Sequence, residues 1–158
     1  MSQVRILFDG WGPASDAARL GAEDAVTALA FMVQARAQRN ITANGSVDTG
    51  AMRNSIYVHA RGKSNRVQSI AAAVQAGAGP GAKSPKGHLV PIATPGTVIV
   101  GPLRAKVAVC VEYGIYVEMG TKYAGAKPYL APAFAEVNKR AQKIAAQYVQ
   151  DRLKGAIK

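Results

Sequence analysis

The chain has 158 residues, enough for one domain with a buried core; 49% of them are apolar and only 6% aromatic, so that core is expected to be thin and rich in Ala, Val and Leu. Such cores take part of their burial from neighbouring subunits. Twenty Lys and Arg against nine Asp and Glu give a net charge of +11, a single cysteine excludes an intrachain disulfide, and no apolar run reaches the roughly 18 residues of a membrane span.

The charge is unevenly placed. No acidic residue stands between Asp48 and Glu112, whereas Arg53, Arg61, Lys63, Arg66, Lys83, Lys86, Arg104 and Lys106 all do. A surface of this kind attracts polyanions or an acidic protein partner.

In chain order, residues 3–8 read as a short strand, and they lack the long apolar core of a signal peptide. Gly10, Gly12 and Pro13 break it, and Ser15 is the expected N-cap of the helix that follows, with Asp16 in its first turn. Over residues 14–41, Ala22, Val26, Leu29, Ala30, Val33, Ala37 and Ile41 recur every three or four positions, which predicts a helix with one apolar stripe. Arg36 and Arg39 suit the C-terminal end of its dipole, and Asn44-Gly45 stops it. Asp48-Thr49-Gly50 then reads as a capped tight turn.

Residues 55–61 alternate as a strand, with Ile56, Val58 and Ala60 on one side, and 62–65 form a turn. Residues 67–76 fit either a helix face or a strand; their place after a hairpin-like turn favours a strand. The Gly and Pro residues over 77–96 predict a long irregular loop, of the sort that is functional or disordered. Residues 97–101 and 104–112 read as two strands joined at Pro102. Cys110, in the run Val107-Ala108-Val109-Cys110-Val111, is expected to be a buried, inert thiol. Residues 113–119 hold a helical turn closed by Gly120. A second long helix is expected over 131–155, with Pro132 at its start, Phe134, Val137, Ala141, Ile144 and Tyr148 as its stripe, and Glu136–Arg140 as an i,i+4 pair. The fold class is α+β: a long N-terminal and a C-terminal helix packed on a small, mainly antiparallel sheet, in one domain spanning 1–158.

No residue pattern here carries chemistry. His59 and His88 have no second ligand at metal spacing. Glu112 and Glu118 lie beside tyrosines, but nothing else in the chain builds a substrate pocket around them. Gly77-Ala78-Gly79-Pro80-Gly81 is neither a dinucleotide fingerprint nor a P-loop. No catalytic residue, metal or cofactor is expected. The case for nucleic acid rests on charge alone, without a zinc pattern, a stacking motif or a recognition helix.

Three segments resemble one known family. Val47-Asp48-Thr49-Gly50-Ala51-Met52-Arg53-Asn54-Ser55-Ile56 is similar to its V-D-T-G-x-L-R-x-S-I signature, with Met52 in place of the usual leucine. Tyr116-Val117-Glu118-Met119-Gly120-Thr121 resembles its second signature, which ends in E-x-G-T. Pro128-Tyr129-Leu130-Ala131-Pro132-Ala133 resembles the start of its last helix. The family is the gene-product-ten-like tail-component family of long-tailed bacteriophages, also called neck or tail-completion proteins.

The resemblance implies a structural virion protein at the head–tail interface, a sixfold ring of copies between a head-closure or adaptor ring and the tail terminator or tail tube. It would join the DNA-filled head to the tail and keep the DNA channel continuous. It assigns structural corners to Asp48, Thr49, Gly50, Arg53, Ser55, Glu118, Gly120, Thr121 and Pro132, with Arg53 expected to pair with Glu118. Residues 77–96, longer than the family's usual connection, are expected to reach a neighbour or the channel. Arg61, Lys63, Arg66, Lys83, Lys86, Arg104 and Lys106 are the candidate contacts to channel DNA or to an acidic neighbouring ring. A tail terminator or head-closure ring is the alternative within the virion; a free basic nucleic-acid-binding protein is the alternative of another class.

Overall fold

In the computed structural model the described residues are 11–46, 50–83, 89–92 and 100–156. They form helix α1 (Trp11–Ala43), the single turn α2 (Ala51–Asn54), strands β1 (Ile56–Ala60) and β2 (Lys63–Ser64), helix α3 (Arg66–Gln75), strand β3 (Ala105–Val109), the short helix α4 (Gly114–Met119) and helix α5 (Leu130–Ala156). The class is α+β, as the sequence predicts: two long helices and a small antiparallel sheet of order β2-β1-β3. Ile56 faces Val109 and Ala60 faces Ala105 across β1 and β3.

The two long helices run antiparallel and side by side. Asp24 meets Arg152 near one end, and Asn40 donates to the Tyr129 carbonyl at 3.0 Å near the other. Small residues permit the close approach. A Cβ on Gly21 would stand 2.8 Å from the Cα of Val149 and 2.9 Å from the Tyr148 carbonyl oxygen, both backbone atoms. Arg36, placed by the sequence as a dipole cation, instead meets Glu136 of α5 at 2.6 Å, off its own N–H direction. Glu136 is thereby drawn across the helix pair rather than along α5 to Arg140. Both side chains are substantially exposed, so the contact contributes little energy.

The core is as thin as the composition implies. Val33, Ala37 and Ile41 of α1 meet Ala51, Met52, Ile56, Ala73, Val111, Tyr129, Ala133 and Val137. One buried polar network fixes the sheet to α1: Gln34 donates to the Ile56 carbonyl at 2.6 Å and accepts from Asn65 at 2.9 Å. Cys110 is buried, and burial pushes its thiol upwards, which keeps it protonated.

Four expectations change. Helix α1 begins at Trp11, so Ser15 is no N-cap; its hydroxyl donates back to the Gly12 carbonyl at 2.9 Å. Gly12 and Pro13 occupy the first turn, where backbone N–H groups have no helical partner and proline is tolerated. Residues 66–75 are helix α3 and not a strand, because two-residue β2 exhausts the hairpin and the Ala71-Ala72-Ala73 run favours helix. The loop over 77–96 is anchored at its base: Ala78 and Val90 are core residues, the Gly79 N–H donates to the Val90 carbonyl at 2.9 Å, and Ile92 bridges to Val111. Finally, Phe134 is 61% exposed and Tyr148 40%, since the buried row of α5 runs through Ala133 and Val137. The expected strand over 3–8 lies outside the described residues, as does most of that over 97–101, whose described remainder, Val100 and Gly101, is not strand.

Replacing Gly21 by Val is expected to force α1 and α5 apart. Overpacking of this kind costs about 1–3 kcal/mol, which outweighs the gain of under 1 kcal/mol in helix propensity. Thermal unfolding followed by circular dichroism should show a melting temperature several degrees lower.

Candidate interaction site

The two signatures build separate turns over one core cluster, which takes in Ala51, Met52 and Ile56 of the first and has Val117 of the second packed against it. In the first, Gly50 has φ 80°, a left-handed backbone that starts α2 and favours glycine. Ser55 is fully buried; its hydroxyl donates to the Met52 carbonyl at 2.8 Å, and its own carbonyl accepts from the Cys110 N–H at 3.1 Å, tying the turn to the end of β3. Arg53 is half-buried, and its carbonyl accepts from Gln38 of α1 at 3.2 Å. Asp48 and Thr49 lie outside the described residues.

The second signature is organised by Glu118. One carboxylate oxygen accepts from the N–H groups of Tyr129 at 2.8 Å and Leu130 at 3.0 Å, and the other from Ala131 at 2.9 Å. Those are orphan donors at the start of α5, where negative charge also meets the positive end of the helix dipole. The expected Arg53–Glu118 ion pair is absent among the described residues, because the carboxylate is taken up by backbone donors. Gly120 has φ 77°, and a Cβ there would stand 2.7 Å from the Ala126 nitrogen, so the chain can fold back only through glycine. Thr121 accepts at its hydroxyl from Tyr123 and Ala124, closing that turn. Pro132 falls in the first turn of α5, and the carbonyls of Pro128 and Tyr129 just before it accept from Asn44 and Asn40 of α1. Tyr129, buried, donates its hydroxyl to the Gly114 carbonyl at 3.1 Å; burial pushes its phenol well above the ordinary value.

The cations sort into engaged and exposed. Arg61 pairs with Glu23 at 2.8 Å, and Lys63 with Asp24 at 3.5 Å; Arg152 of α5 also reaches Asp24, at 2.5 Å. The β1–β2 hairpin is thus paired with α1, whose Asp24 also takes Arg152 of α5. Arg66 lies 5.9 Å from the centre of the Tyr57 ring. Lys83, Arg104 and Lys106 are exposed, and Lys86 lies outside the described residues. Exposed Lys139, Arg140 and Lys143 of α5 add a basic face that the acid-free stretch did not include; its signal was the spacing of three cations within one helix.

A surface groove of about 560 Å³ opens between α1, α5 and β3, lined by Val26, Ala30, Val107, Phe134 and Val137 among others, with Glu118 at its edge. Among the described residues no group of acids, histidines and cysteine is placed to hold a metal, and no helix is long and apolar enough to cross a membrane.

The family described as "Bacteriophage HK97-gp10, putative tail-component" matches residues 13–120, from α1 to Gly120 of the second signature. The chain belongs to this family. It is a tail component of a bacteriophage, a structural description rather than a catalytic one. No curated protein and no solved structure matches the chain. The matched span of this tail component holds the first signature and the second as far as Gly120, and stops short of α5, which Glu118 joins to it.

Two outcomes follow from this geometry. Glu118→Ala leaves three N–H groups of α5 without their acceptor and is expected to cost about 1–2 kcal/mol, read as a lower thermal midpoint; Glu118→Gln, which keeps one acceptor oxygen and loses the charge, should fall between. The Arg152 hydrogen bond holds the Asp24 carboxyl below its ordinary value, so its stabilisation is full above about pH 3.9 and fades as pH falls through the folded-state value. Melting curves between pH 6 and pH 2 should therefore show a smaller acid-induced loss in Asp24→Asn than in the unaltered chain.

Proposed function

We propose that this tail component is a neck protein. Copies of it form a sixfold ring that joins the DNA-filled head to the tail and keeps the DNA channel continuous. Its partners in this reading are itself, the head-closure or adaptor ring, and the tail terminator or tail tube. The exposed cations of β3 and α5 face genomic DNA or an acidic neighbouring ring, in contacts that carry no sequence preference. The observation that carries the reading is the family match over the first signature and the second as far as Gly120. The structure supports it with large apolar side chains left on the surface, among them Ile115, Met119 and Phe134, each more than 60% exposed. Phe134 lies with other apolar side chains on the wall of the groove, and contiguous apolar surface marks contacts with other proteins.

A phage lacking this chain should accumulate filled heads and finished tails that do not join, and supplying the chain in trans should restore infectious particles. Imaging of intact particles should then show the chain as a ring at the junction. Normal joining without it, or a position away from the head–tail passage, would overturn the proposal.

A further inference from the structure

Helix α3 closes one edge of the sheet. Beyond the two residues of β2, the edge of β1 bonds to α3 and its lead-in: the Val58 N–H donates to the Asn65 side chain at 2.7 Å, and the Ser69 hydroxyl donates to the Ile56 carbonyl at 3.0 Å. The opposite face of α3 is uncovered. Val67 is 77% exposed and Val74 50%, with exposed Ala71 between them at helical spacing. No charged residue occurs from Val67 to Ala82, in a chain of net charge +11.

At the other edge of the sheet lies the groove, walled by β3, α1 and α5. None of its lining residues is basic. Its α1 wall runs from Val26 to Val33, the same seven-residue advance as from Val67 to Val74, about 10 Å of helix in each case.

We propose that the α3 face of one copy docks in the groove of the next. Two copies of so basic a chain repel each other, and these are facing surfaces that put no cation opposite another. The two surfaces differ and lie at opposite edges of the sheet, α3 beside β1 and the groove beside β3, so the contact is head-to-tail, the heterologous kind from which rings are built. A helix laying its apolar face into an apolar groove is a common mode of recognition. The inference rests on the ring reading above and assigns the surfaces that build it.

The test uses the full chain. Val67→Glu combined with Val74→Glu alters two exposed positions, so the far-ultraviolet circular dichroism spectrum and melting temperature should be retained. Incorporation into purified particles should fall at least tenfold; incorporation at the unaltered level would overturn the inference. In concentrated solution, copies carrying Val74→Cys and copies carrying Asn138→Cys should be joined by a short bismaleimide when mixed, and neither should join alone. Joining of Val74→Cys copies to themselves would place α3 against α3 and overturn it. Absence of the unaltered chain from particles would instead bring down the ring reading itself.

Discussion

The fold depends on a carboxylate at a helix start. Glu118 lies in the last turn of the short helix α4, and its two oxygens take the N–H groups of Tyr129, Leu130 and Ala131 at the start of α5. Without that acceptor, three backbone donors at the junction would lose their partner, and the 27-residue helix would have no fixed point of departure. With it, the direction of α5 is set from the second signature. Gly120 makes this possible by turning the chain in a conformation that closes Ala126 against it. The buried Tyr129 then locks the junction to Gly114, where a Cβ would collide with Val109.

From that departure α5 runs back along α1, and the pair is held by proximity more than by large side chains. Ala and Gly line much of the contact, so backbones come close and each added methyl group is felt. At the far end, Arg61, Lys63 and Arg152 gather on Glu23 and Asp24. This cluster changes the meaning of the charge count. Arg61 and Lys63 lie in the acid-free stretch of sequence, yet in space they stand beside acids from α1. A run of cations in sequence is thus a poor guide to free positive surface where long helices bring acids from 38 or more positions away.

How much was legible follows the range of the interactions. The long helices, β1, β3 and α4 were readable because apolar period and turn residues are local signals. Helix α3 was misread because Val67, Ile70, Ala71 and Val74 satisfy two periods, and the tie that decides between them, Asn65 and Ser69 to the edge of β1, is non-local. The Arg53–Glu118 pairing failed for a different reason. Both residues were rightly seen as corner positions, but the partners of Glu118 are backbone N–H groups, which carry no side-chain signature. The stripe of α5 holds at Val137 but not at its aromatic ends: Ala133 is buried in place of Phe134, because the larger side chain looks like the core residue until the close approach of α1 is known.

That last displacement bears on assembly. If α1 and α5 were farther apart, Phe134 would fit between them and the groove would be filled from within. As they stand, the buried row of α5 runs through Ala133 and Val137, and Phe134 lies on the groove wall, 61% exposed. A chain with few aromatics thus leaves one of its three phenylalanines lining an open groove. The same small residues that let the helices meet therefore create an apolar surface the subunit cannot cover by itself. For a charged chain, burying that surface against a like-charged copy is favourable only where the facing patch carries no cation, and the outward face of α3 meets that condition.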